Sequence, residues 1–202
     1  MTRVSIIILC GGRSKRFGTD KVFYSLGDKT ILELVFDKFK DLSDDIFLQI
    51  SEKNEVITKN LKFDVKVNND IVLNKGPLGG IYSGLIQAKY QKVFVIAGDL
   101  PFVDRNLFVE MEESDNYQLV IPRWENDFVE PLCAKYSKDL IPIIKEQLDN
   151  DDLKINNLFK IIEQNRNGKI RIKYLNIDEL MRQNRITPDC FKNVNYLDDL
   201  EQ

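Results

Sequence analysis

Residues 4–12 read VSIIILCGG, a β-branched apolar run that stops at two consecutive glycines. With no solvent-facing alternation along it, Val4 to Leu9 predicts a strand buried on both faces, of the kind parallel sheets carry, and the glycines predict a loop leaving its carboxyl end. A second run of this type, Lys92 to Ala97 (KVFVIA), ends in Gly98-Asp99-Leu100-Pro101-Phe102. Between the two, Thr30-Ile-Leu-Glu33 is a capping box opening a helix, with Ile31, Leu34, Val35, Lys38 and Phe39 at helical spacing. Ile46 to Ile50 and Phe63 to Val67 are predicted strands, and Gly79 to Tyr90 a helix. Downstream, Val103 to Glu113, Lys138 to Leu148 and Leu153 to Gln164 are predicted helical. Gln118 to Pro122, Val129 to Tyr136 and Lys169 to Leu175 are predicted extended, the last following Asn167-Gly168. Strands alternating with helices predict an α/β fold, an open, mostly parallel sheet with helices on both faces.

The chain has 202 residues and contains no repeat, low-complexity stretch or Pro/Gly/Ser linker, so residues 1–202 are expected to form a single domain. Hydrophobic residues make up 43% and charged residues 30%, an ordinary globular mix. No apolar run approaches the roughly 18 residues of a membrane span, so no membrane partner is expected. Lys plus Arg number 29 and Asp plus Glu 32, a net charge of −3, which leaves no global basic field to gather nucleic acid. Cys10, Cys133 and Cys190 show no CxxC spacing, and their odd number without a signal peptide predicts reduced thiols in a cytoplasmic protein. The chain has no histidine, which excludes a Ser-His-Asp triad, a Cys-His pair and every His-based metal site. Chemistry must rest on carboxylates, Lys, Arg, backbone amides and hard metal ions.

Ligands of a parallel sheet bind beyond the carboxyl ends of its strands. After the first strand, Gly11, Gly12 and Gly18 let backbone amides approach an anion closely, while Arg13, Lys15, Arg16 and Lys21 supply four cations, a set suited to a triphosphate. The spacing is neither GxGxxG nor GxxxxGK[ST], so neither the dinucleotide fingerprint nor a Walker loop is present; a solvated basic turn is the competing reading. After the second strand, Asp99 suits a Mg²⁺ ligand, because a hard cation takes carboxylate and phosphate oxygens together. A helix cap is the alternative, for which Asp104 is better placed. Between these motifs, Gly76-Pro77-Leu78-Gly79-Gly80 is read as a loop before a helix that begins near Ile81, either a surface for a planar base or a plain strand-to-helix turn.

Together, LCGGRSKRFGTDK, GPLGGI, AGDLPF, VEPLCAKY and FKNVNYLDDL resemble the molybdenum cofactor guanylyltransferases, whose strings run LAGGxSxRMGxDK, GPLAGI, GDxPF, EPLxAxY and FxNxNTPEDL. The matches extend from residue 9 to residue 200. The chain departs from the pattern at Cys10, Phe17 and Gly79, and at Tyr196-Leu197. Ser51 stands where the family tends to have an Asn that touches the nucleotide.

The resemblance implies a Rossmann-like fold of the nucleotide-diphospho-sugar transferase type and transfer of GMP from GTP to the phosphate of molybdopterin or Mo-molybdopterin, with Mg²⁺ and with release of pyrophosphate. It also implies other molybdenum cofactor assembly proteins as partners. The roles it implies give Leu9, Cys10, Gly11 and Gly12 to base and phosphate contacts, Arg16 to the β and γ phosphates and Lys21 to charge at the α-phosphoryl group. Asp99 would hold the metal, and Gly76, Pro77 and Leu78 would line the nucleotide. Asp70 would accept from guanine N1–H and its exocyclic amine, or else close an Asn-Asn-Asp turn. Glu130 either lies at the acceptor entrance or makes a structural hydrogen bond, and Asn193 and Asn195 either contact metal or acceptor or lie in an exposed turn. Cys10 reads as a small buried thiol rather than a nucleophile. A sister enzyme using CTP or a sugar phosphate, and a non-catalytic nucleotide-binding module, are the alternatives; retention of Lys21 and Asp99 speaks against the second.

Overall fold

The computed structural model describes residues 3–10, 21–51, 61–164 and 169–192. Among these, seven strands form one sheet: β1 (Val4–Cys10), β4 (Ile46–Ile50), β5 (Lys66–Asn69), β6 (Lys92–Ala97), β7 (Leu119–Arg123), β8 (Cys133–Ser137) and β9 (Ile172–Asn176). Their order is β5-β4-β1-β6-β8-β7-β9, and every pairing is parallel except those of β8 with β6 and β7. A two-stranded hairpin, β2 (Ser25–Leu26) and β3 (Lys29–Thr30), turns at Gly27 with φ 66°. It leads into α1 (Ile31–Phe39), where the Thr30/Glu33 capping box forms as expected. The remaining helices are α2 (Gly76–Gln87), α3 (Arg105–Glu112), α4 (Ile141–Asp149), α5 (Ile155–Gln164) and α6 (Ile177–Arg182).

Alternation along β1 sorts the core into two layers. Val4, Ile6, Ile8 and Cys10 face one layer with Leu32, Val35 and Phe39 of α1 and Leu107, Phe108 and Met111 of α3. Ile7 and Leu9 face the other, with Leu78, Ile81 and Leu85 of α2, Ile144 of α4 and Leu158 of α5. Both faces are therefore covered, which is why Ile6 to Cys10 of β1 and Val93 to Ala97 of β6 are apolar at every position. Truncating a central side chain such as Ile8 to Ala is worth about 2–5 kcal/mol at such a site. α2 lies flush on β1 because it presents glycine there: a Cβ on Gly84 would stand 2.4 Å from Ile7 Cδ1 and one on Gly80 3.3 Å from Leu9 Cδ2.

Several expected boundaries shift. The third strand is Lys66–Asn69 rather than Phe63 to Val67, since Phe63 packs its ring on Phe36 at 4.6 Å while Lys66 to Asn69 take the register opposite Phe47 to Ile50. Gly76 and Pro77 belong to the first turn of α2, where a proline sacrifices no hydrogen bond, instead of to a loop ending near Ile81. Val129 makes only an isolated bridge to Arg123, so the extended segment expected from Val129 begins as a strand at Cys133. The β2–β3 hairpin and α6 are additions to the expected elements. No described helix is long and apolar enough to cross a membrane.

Candidate active site

The carboxyl ends of the parallel strands and the start of the reversed strand β8 share one edge of the sheet. Across that edge stand Asp70 after β5, Leu9 and Cys10 at the end of β1, Asp99 after β6 and Glu130 before β8. Gly98 draws β6 against β1: its amide donates to Leu9 O at 2.9 Å, and a Cβ there would meet Cys10 Sγ at 3.1 Å and Leu9 O at 3.2 Å. This close approach, tight for any side chain, fixes the backbone immediately before Asp99 against the end of β1.

Lys21 opens a 3-10 turn, Lys21–Phe23, and its Nζ lies 3.3 Å from Asp99 Oδ2. The lysine side chain is 9% exposed and that of Asp99 37%, so the ammonium is held from below while the carboxylate meets solvent. Asp99 Oδ1 accepts no hydrogen bond from the described residues. The cap of α3 is Asp104, whose carboxylate accepts from Asn106 N and Thr187 N, each at 2.9 Å, so Asp99 is spared that duty. Its donor chemistry suits a hard divalent cation that takes its other oxygens from phosphate and water. No group of three or more Cys, Asp or Glu among the described residues forms a cage for an ion held by protein alone.

A second corner lies toward β5. Asp70 N donates to Ile50 O at 2.9 Å, and Asp70 Oδ1 accepts from Gln49 Nε2 at 2.9 Å. Burial raises the Asp70 carboxyl above the usual aspartate range, with the Gln49 hydrogen bond opposing that rise. Gly80 leaves the space between Leu9 and Asp70 open, since a Cβ there would lie 3.3 Å from Leu9 Cδ2 and 3.7 Å from Asp70 Oδ1. Ser83 Oγ accepts from Ile71 N at 2.8 Å and donates to Gly79 O at 2.7 Å, which ties the segment after Asp70 to α2. Gly76, with φ 60°, Pro77 and Leu78 start α2, and the Lys75 side chain caps none of its first amides.

A third corner lies at β8. Trp124 Nε1 donates to Glu130 Oε1 at 2.9 Å, and burial raises the Glu130 carboxyl against the effect of that hydrogen bond. Ser51 follows β4 and is half-buried. Cys10 is buried, with Sγ 3.7 Å from Ile8 O, and Cys133 and Cys190 are buried free thiols; burial pushes Cys190 up to about 11, so neither the position nor the acidity of a ready nucleophile is found there. Gly11, Gly12, Arg13, Lys15, Arg16 and Gly18 lie outside the described residues, as do Asn193, Asn195, Tyr196 and Leu197.

The structure thus brings Leu9, Lys21, Asp70, Gly76 to Leu78 and Asp99 to one edge. Two side chains that sequence reading passed over join them. Gln49 was signalled by a lone carboxamide inside the apolar strand IFLQI, and Trp124 by being the chain's one tryptophan, six residues before Glu130.

Residues 6–167 match the family described as MobA-like NTP transferase domain. A protein of Natranaerobius thermophilus named probable molybdenum cofactor guanylyltransferase is 31% identical, over 98% of this chain and 94% of its own. A protein of the same name from Thermococcus gammatolerans is 30% identical, over 96% and 95% of the two chains. The crystal structure of molybdopterin-guanine dinucleotide biosynthesis protein A from Archaeoglobus fulgidus is 20% identical, covers 98% of this chain and 95% of that one, and superposes with a TM-score of 0.78, which identifies a common fold.

Proposed function

This chain belongs to the MobA-like NTP transferase family, and from that membership we propose that it is a molybdenum cofactor guanylyltransferase, moving GMP from GTP to the phosphate of molybdopterin or its molybdenum-loaded form and releasing pyrophosphate. Residues 1–202 would act as one nucleotidyltransferase domain. The observation that carries the reading is the Lys21–Asp99 pair, 3.3 Å apart, with Asp99 just past the end of β6 and Lys21 in the Lys21–Phe23 turn, inside a match that spans the chain.

The reaction is in-line displacement at the α-phosphorus, where positioning and charge stabilisation supply most of the rate and no covalent enzyme intermediate is required. Absence of histidine is therefore no obstacle. Lys21 exchanges Asp99 for the α-phosphoryl oxygens, and its 9% exposure means that little water competes with this contact. Asp99 would hold Mg²⁺, which would supply positive charge to offset that of the phosphates. Backbone amides of Leu9, Cys10, Gly11 and Gly12 contact base and phosphates, and Arg16 contacts the β and γ phosphates. Gly76, Pro77 and Leu78 line the nucleotide, and Asp70 Oδ2, which accepts nothing from the described residues, accepts from guanine N1–H and its amine. The same reading puts the enzyme in the cytoplasm, among other molybdenum cofactor assembly proteins.

The test is incubation of pure protein with molybdopterin, Mg²⁺ and each nucleoside triphosphate in turn. GTP is expected to yield the dinucleotide with stoichiometric pyrophosphate. Faster product from CTP overturns the guanylyltransferase assignment.

A further inference from the structure

We propose that Glu130, held by Trp124, is the residue that recognises the pterin end of the acceptor, its carboxylate accepting from the ring N–H and exocyclic amine of the 2-amino-4-oxopyrimidine edge. The inference rests on the guanylyltransferase reading above. Glu130 is fixed at the functional edge by its backbone: its N–H donates to Pro122 O at 3.0 Å, and its carbonyl accepts from Cys133 N at 3.1 Å. Two residues on, Leu132 O accepts from Ala97 N at 2.6 Å, at the last residue of the strand that delivers Asp99.

The side chain is half committed. Oε1 accepts from Trp124 Nε1 at 2.9 Å, while Oε2 accepts nothing from the described residues. The donor is itself steadied: the Trp124 ring meets Phe191 edge-on at 5.7 Å, and Trp124 N donates to Phe128 O at 2.8 Å across a turn in which Asp127 has φ 65°. Phe128, on the same turn, is 61% exposed. Burial raises the Glu130 carboxyl, so the ionised form lacks solvation that two in-plane donors would restore.

Guanine and pterin carry the same edge, a ring N–H next to an amine, and the protein has two carboxylates prepared alike. Asp70 has one oxygen tied by the Gln49 amide and Glu130 has one tied by the Trp124 indole, both at 2.9 Å. Asp70 follows β5 and Glu130 precedes β8, four strand spacings away in the sheet order, with β6 and Asp99 between them. At about 4.8 Å per strand, four spacings separate the strands they flank by about 19 Å, with Asp99, the proposed metal ligand, between two recognition ends.

The test compares binding of pterin and of lumazine, its 2,4-dioxo analogue without the amine, by calorimetry, and measures turnover with molybdopterin. Wild-type protein is expected to prefer pterin by about tenfold or more. Glu130→Gln keeps an oxygen for Trp124 but turns an N–H toward the amine. It should erase the preference and raise the acceptor KM about 10- to 100-fold, while kcat, GTP affinity and melting temperature stay near wild type. Trp124→Phe keeps a ring without the N–H and should weaken pterin binding in the same direction. An unchanged pterin-to-lumazine ratio and acceptor KM in Glu130→Gln, with GMP transfer intact, overturns the Glu130 assignment and leaves the proposed reaction standing. A retained preference in a protein that transfers no GMP supports the pterin seat and overturns the reaction.

Discussion

The two edges of the sheet treat buried polar groups in opposite ways. At the amino edge, Ser43 Oγ donates to Val4 O and accepts from Asp45 N at 3.0 Å. The Asp45 carboxylate accepts from Ser5 Oγ and, at 2.8 Å, from Lys89 N, while Ser5 Oγ accepts from Tyr90 N at 2.9 Å. Ser5, Ser43 and Asp45 are all buried, and each is partnered more than once. At the carboxyl edge the carboxylates are half-satisfied among the described residues: one oxygen of Asp99 goes to Lys21, one of Asp70 to Gln49 and one of Glu130 to Trp124. Gln49 Oε1 and Asn68 Nδ2 are buried there with no hydrogen-bond partner among the described residues. A saturated network gives stability and has nothing left to offer a ligand, whereas an unsaturated one costs stability and keeps donors and acceptors available. The difference marks the carboxyl edge as the working end of a scaffold that the amino edge closes.

The contrast breaks most sharply at Lys21. Lys21→Ala should lower kcat by about 10²- to 10³-fold, the usual loss when one donor to developing charge is removed, with little change in the urea midpoint. Near wild-type turnover would remove Lys21 from the catalytic set. Asp99→Asn should abolish Mg²⁺-dependent turnover and weaken Mg·GTP binding measured by calorimetry.

Asp45→Ala tests the other edge. Ser5 and Lys89 N lose their shared acceptor, so unfolding free energy should fall by about 2–3 kcal/mol in urea denaturation while kcat per folded molecule is retained. A stable variant would show that the amino-edge network is not a structural clamp.

The smallest expected effect is at Asp70. Asp70→Ala should reduce discrimination for GTP over ATP and CTP by about 1.5–3 kcal/mol, and it should gain tolerance of ATP because the wild-type carboxylate repels the acceptor at adenine N1. Since burial holds the Asp70 carboxyl above the unfolded value, wild-type affinity for GTP should fall as pH drops through that raised value, and the variant should lack this limb. The linked stability has the opposite sense. The contribution of protonated Asp70 is fully present below the unfolded pKa and is lost as pH rises through the folded one, so Asp70→Ala should gain stability relative to wild type as pH increases through that window. Parallel pH profiles for the two proteins, or unchanged base selectivity by competition binding, would move base recognition to the backbone around Leu9 and Gly76 to Gly80.

The elements legible in the sequence are those whose causes are local. Lys92–Ala97 is a strand over the same residues that form its apolar run, because both of its faces are covered, and Thr30 with Glu33 caps α1 within a single turn of chain. Legibility fails where a distant partner overrides the local cue. β5 runs through the mostly polar stretch Lys66–Asn69, held by register with β4, while Phe63 leaves to pack on Phe36. The carboxyl edge follows the same division. Strand-end glycines, a lysine past the first strand and Asp99 past another are visible as residue types at suggestive positions. Their meeting is not: Lys21 and Asp99 are 78 residues apart in the chain, and Gln49 and Asp70 are 21 apart. Spacing along a chain encodes periodicity and capping within a few residues, whereas the partners of a side chain depend on strand order and register, which are set only when both faces of the sheet are buried at once.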